Sequence, residues 1–186
     1  MNITIPEGSR GDKKGEKKVI ADASVLIHLS AIGRFYLLRE LFQGVTIPEG
    51  VYREVVIEGW GLSGSLETSE AIRSGVIKVN QVMDEEKVKE TLHRYKVSIT
   101  NAEVIQLAKE INAEMVLADE AEVREAAEDA GFKVRGCLGI LMVAIKSGIL
   151  SSQQAIRDVD NLVSTGYRVS EDIIREVKEA LSRRGK

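Results

Sequence analysis

KKVIADASVLIHL (residues 17–29) and AEMVLADEAEV (residues 113–123) share one pattern: a short β-rich run, an aspartate, then residues at helical period. Each reads as a strand that ends at or just before Asp22 or Asp119 and hands over to a helix. Outward from these, Val45-Thr46-Ile47, Val76-Ile77-Lys78-Val79 and Lys133-Val134 read as further strands, with helical periods between them. Such alternation implies an α/β fold with a mostly parallel sheet covered on both faces, because parallel neighbours need crossover helices. Ligands in such sheets bind beyond the carboxyl ends of the strands, so Asp22 and Asp119 are expected to face one crevice.

Local punctuation agrees with this division. Pro48 sits where the second strand gives way to a helix and its missing N–H costs nothing; Gly131 follows the helix 121–130 as a stop signal. Thr100-x-x-Glu103 has the spacing of a capping box, and Val104, Leu107, Ala108 and Ile111 continue it as an apolar stripe. Beyond Gly148 two helical segments, 152–163 and 170–182, follow without another strand, joined through Gly166. Three parts are therefore expected: a flexible leader at 1–17, rich in Gly and Lys, an α/β domain at 18–150, and a C-terminal helical extension at 151–186.

Composition narrows the chemistry. The chain has 186 residues and a formal charge of −3, enough length for a core and too little positive charge for a basic coat. Cys137 is its single cysteine and His28 and His93 its only histidines. They cannot build the usual four-ligand zinc site, so a metal would be held by oxygen. The opening residues lack the apolar stretch of a secretion signal, and the longest apolar run, 138–145, is too short to span a bilayer. A cytoplasmic protein is expected.

Four acids stand out. Asp22 and Asp119 each have an ordinary explanation as helix caps or Asx turns, but the matched pair favours function. Glu54, in PEGVYREVVIEG, lies on the shoulder of an apolar helix face, where a charge needs water or a partner. Glu103 is equally well explained as the closing residue of its capping box. Carboxylates held close together raise one another's pKa unless a cation neutralises them, and oxygen ligands select Mg²⁺ or Mn²⁺. Metal-assisted phosphodiester hydrolysis is the reaction class such a cluster suits. A phosphatase of the haloacid dehalogenase kind would need Asp-x-Asp after its first strand, whereas this chain has Asp22-Ala23-Ser24. His28 reads as a partly buried structural histidine.

VIADASVLIHLSAIGRFYLLRELFQGVTIPEGVYREVV resembles the start of PIN domains, in particular a prokaryotic subfamily allied to toxins of the virulence-associated-protein-C type. TNAEVIQLAKEINAEMVLADE resembles the family's second acidic segment, and FKVRGCLGILMVAIKSGIL its closing strand and helix. The resemblance implies a three-layer α/β/α sandwich and four metal-binding, catalytic acids, falling on Asp22, Glu54, Glu103 and Asp119, with Ser24 in support and Glu120 as an auxiliary. It further implies Mg²⁺- or Mn²⁺-dependent endoribonuclease activity on RNA, a homodimer, and a small antitoxin partner; a catalytically weak binding module is the alternative. Two departures are visible: relatives often carry a further acid where this chain has Asn101, and a second aspartate where it offers Glu120 and Glu122.

Overall fold

The computed structural model describes residues 18–183, so the leader expected at 1–17 lies outside the described residues. Five strands form the centre: β1 (Val19–Ala21), β2 (Val45–Pro48), β3 (Ile77–Asn80), β4 (Met115–Leu117) and β5 (Lys133–Arg135). Their order is β3-β2-β1-β4-β5 and every neighbouring pair is parallel. The sheet is thus wholly parallel, where a mostly parallel one was expected. β1 is central and buried at all three residues, which is why it reads as an unbroken apolar run rather than an alternating one.

The chain walks from β1 to β3 in one direction, then returns to place β4 on the other side of β1. The order of winding reverses between β1 and β4, and there the loops that leave the two strands part to open a crevice. α5 (Glu85–Tyr95), α6 (Ile99–Glu110) and α7 (Ala121–Asp129) pack together on one face. On the other, α8 (Cys137–Lys146) packs against α1 (Ala23–Ala31), α2 (Leu37–Phe42) and α9 (Ser152–Ser164). A single buried core runs from Ile20 and Leu117 of the sheet to Val159 and Leu162 of α9. Arg34, in the turn after α1, donates to Asp158 of α9 at 2.7 Å, and both side chains are largely covered. A hairpin of α9 and α10 (Glu171–Arg183) closes the described chain.

Pro48 ends β2 and caps α3 (Glu49–Tyr52) with φ −73° and ψ 162°, as its fixed φ allows. From Arg53 to Glu58 the helix widens to π hydrogen bonding, an irregularity that often accompanies functional sites. α4 (Ser65–Arg73) then leads to β3. The capping box expected at Thr100 is not formed. α6 starts earlier, with Ser98 as its cap and the Ser98 hydroxyl accepting the N–H of Asn101, which leaves the carboxylate of Glu103 free to bond elsewhere. Among the described residues no helix is long and apolar enough to cross a membrane.

Candidate active site

Asp22 is the N-cap of α1. Its Oδ1 accepts the N–H of Val25 at 2.8 Å, and the Ser24 hydroxyl lies 2.8 Å from both carboxylate oxygens. The helix cap that explains this aspartate locally is therefore real, yet it accounts for only part of its surroundings. Asp22 has no exposed surface, and burial pushes its carboxyl up to about 7, with Asp119 and Glu120 adding to the rise and the Val25 and Ser24 bonds opposing it.

Asp119, two residues beyond β4, is differently placed. Burial works against its ionisation, but His28, Cys137 and Tyr167 together outweigh that and hold the carboxyl below its ordinary range. His28 Nδ1 lies 3.0 Å from Oδ2, while the Cys137 N–H and the Tyr167 hydroxyl each donate to Oδ1 at 2.8 Å. The Cys137 N–H belongs to the first turn of α8, whose dipole favours an anion there. Gly136 makes the approach possible: a Cβ at that position would stand 2.5 Å from Asp119 Oδ1. Ser24 connects the two aspartates, since its Oγ also accepts from the Asp119 N–H at 3.4 Å.

Glu54 projects from the first residues of the π-helical segment into the same crevice. Burial raises its carboxyl, against a hydrogen bond from the Thr100 hydroxyl, with Glu120 and Glu58 as further anionic neighbours. Glu120 joins the cluster from the N-cap of α7 and accepts from Asn101 Nδ2 at 3.0 Å. Asn101 is itself buried, so the position where relatives often carry an acid is occupied here by an amide that ties α6 to Glu120. The crevice has a volume of about 590 Å³ and is lined by Ser24, His28, Glu54, Glu120, Tyr167 and Arg168 among others.

Glu103 points one turn further along α6. Its Oε2 accepts the N–H of Gly50 at 2.9 Å, and a Cβ on Gly50 would stand 2.2 Å from that oxygen. Burial raises its carboxyl, while the Gly50 bond and Arg53 oppose the rise. The structure thus places Glu54, Asp119 and the auxiliary Glu120 on the crevice wall, with Asp22 buried beside Asp119 and Glu120, and ties Glu103 to the head of α3.

Two crevice residues were not placed in the site by the sequence: His28, read there as a structural histidine, and Tyr167. His28 follows Ser24 by four positions, so both stand on one face of α1 above Asp22, and that spacing was a usable signal. Tyr167 packs edge-on to the His28 ring at 5.0 Å from the α9–α10 connection, and nothing local marks it. His28, Asp119 and Cys137 place potential ligand atoms within 4.8 Å of one another. The set is ill suited to a hard ion. The Cys137 thiol is buried, its pKa pushed well up, and its sulfur faces the Val25 carbonyl at 3.9 Å, while Asp119 is already bonded to His28, Cys137 and Tyr167. Asp22, Glu54 and Glu120 match a hard ion better in chemistry, though not as a converged group: they offer oxygen alone, Glu120 neighbours both of the others, and the cost of keeping Asp22 ionised is what a divalent cation relieves. A separate cavity of about 370 Å³ near Lys18, Gly44 and Val76 opens at the other end of the strands and contains no such cluster.

A wholly parallel α/β sheet with acidic side chains gathered at its winding reversal is an arrangement suited to holding a divalent cation beside a phosphate. A family model described as a PIN domain matches residues 18–183, and the chain belongs to that family. PIN domains are generally nucleases and usually bind divalent metal ions. The match takes in α9 and α10, which agrees with their share in the core and with the reach of Tyr167 into the crevice. No curated protein sequence matches the chain.

Proposed function

We propose that this protein is a Mg²⁺- or Mn²⁺-dependent endoribonuclease. The observation that carries the reading is Asp22: a fully buried carboxyl, pushed up to about 7, beside two further acids at the winding reversal. A helix cap alone does not require that crowding. Asp22, Glu54 and Glu120 are the side chains that would hold the ion, which when bound would lower the pKa of a water and offset the charge gathering on the phosphate.

The remaining residues support these three. Ser24 fixes the Asp22 carboxylate and Asn101 restrains Glu120, so these two acids are held by neighbours on regular elements, and Thr100 opposes the rise of the Glu54 carboxyl. Asp119 stays ionised and pins His28 and Tyr167 along one wall of the crevice, where they limit the access of bulk water. The same reading makes the chain a candidate toxin whose small antitoxin would block this crevice, and growth arrest on its expression alone is the expected sign.

Mixed single-stranded RNA should be cut with Mn²⁺ and spared with EDTA, and Glu120→Gln should reduce cleavage on the order of a hundredfold or more. Cleavage that persists in EDTA would sink the mechanism. The amide at Asn101 and the diversion of Glu103 favour a second reading, a PIN fold that binds RNA without cutting it. A well-folded protein that binds RNA and leaves it intact with every divalent ion tried would select that reading.

A further inference from the structure

Past Tyr167 the acidic crevice continues into a second cavity of about 650 Å³, and Asp119, Tyr167 and Arg168 line both. Three guanidinium groups border the second cavity: Arg124 from α7, Arg135 from the end of β5 and Arg168 from the α9–α10 connection. Arg124 is committed, with Nη1 donating to the Ala118 carbonyl at 3.1 Å and Nη2 reaching Glu128 at 3.9 Å. Arg135 and Arg168 make no ion pair or side-chain hydrogen bond among the described residues.

Arg135 is also held in place. Its aliphatic stem lies against Gly139 of α8, where a Cβ would meet Cγ at 2.8 Å. Leu138, Val169 and Ile173 supply an apolar floor. Glu125, Glu128 and Asp129 stand on the exposed side of α7 at the rim; Glu128 faces Arg124, and Asp129 accepts from Tyr95 at 2.9 Å.

An acid cluster repels the phosphates it is meant to act on unless cations stand close beside it. Unpaired arginines at the mouth of such a cluster match that need, because a guanidinium fork grips a phosphate through two N–H groups. We propose that this second cavity is a strand-binding subsite: it holds the RNA to one side of the bond being cut, with phosphates on Arg135 and Arg168 and a base over the apolar floor beside Tyr167. The inference rests on the ribonuclease reading for its substrate, but its test does not depend on cleavage. A protein segment rich in acids is the competing occupant, and the continuity with the crevice favours the strand.

The test is anisotropy of a labelled single-stranded RNA in EDTA, over a range of salt, for the full chain and for R135Q, R168Q, the double variant and R135K, with melting curves for each. Each Gln variant should bind on the order of fivefold more weakly, and the slope of log affinity against log salt should shrink by about 0.7 for each phosphate that no longer meets an arginine. R135K keeps both stem and charge and should keep the slope. A double variant with wild-type affinity and slope overturns the subsite. So does unchanged RNA binding combined with loss of binding to polyglutamate, which would assign the cavity to an acidic protein segment. Arginine-dependent RNA binding in a protein that cuts nothing would leave the subsite standing and remove the nuclease reading; cleavage with arginine-independent binding would do the reverse.

Discussion

Replacing Asp22 by Asn should make the metal-free protein more stable at mildly alkaline pH while abolishing its response to divalent ions. Asp22 is wholly buried, and its carboxyl rises from 3.8 to about 7 on folding. The native state therefore holds that proton more tightly than the unfolded chain. Stability from this group is fully present below the unfolded value and is lost as the pH rises through the folded one. At about 1.4 kcal/mol for each pH unit, the full swing is on the order of 4 kcal/mol. Asparagine cannot ionise, yet it keeps an oxygen for the Val25 N–H and caps a helix as well as aspartate does. In EDTA at about pH 8 the variant should melt higher by up to roughly 10 °C, and the gap should close toward about pH 4. Glu54 and Glu103, also raised by burial, tilt both proteins alike, so the difference between the two reports Asp22 together with its coupling to Asp119 and Glu120. Millimolar Mn²⁺ should then raise the melting temperature of the wild type and leave the variant unmoved, because an ion that binds the folded state stabilises it by mass action. A gap between the two proteins that does not change with pH would refute the claim that Asp22 is a strained, ionisable carboxyl.

Glu103→Gln should leave cleavage unchanged and stability nearly so, since glutamine can still accept the Gly50 N–H; collapse of RNA cleavage in a folded variant would return Glu103 to the site. Gly136→Ala should lower stability by about 1–3 kcal/mol in chemical denaturation, because the new Cβ would stand 2.5 Å from an Asp119 oxygen already fixed by hydrogen bonds. Tyr167→Phe removes a hydroxyl donor to that carboxylate and should cost about 1.5–3 kcal/mol by the same measurement, with an unchanged midpoint counting against the hydrogen bond.

Periodicity alone determined much of this protein. The five strands, the parallel sheet and the placement of Asp22 and Asp119 after strands were legible because strand runs, helical stripes and their punctuation are local properties of the chain. Which acids share a crevice was not. Glu103 and Glu120 both lie near the start of a helix and have good local explanations; the packing of α6 against α3 turns the first to the Gly50 N–H, and the placement of α7 sets the second near Asp22 and Glu54. The capping box failed for a related reason: Ser98 offers a hydroxyl ahead of Thr100, and nothing in the spacing tells which cap wins. Tyr167 reaches Asp119 across 48 positions, and the arginines of the second cavity come from three separate elements. Hydrophobic pattern is written along the chain and survives without tertiary structure. The direction of a polar side chain is set by which donor the fold brings within about 3 Å, and that is fixed only when the elements pack.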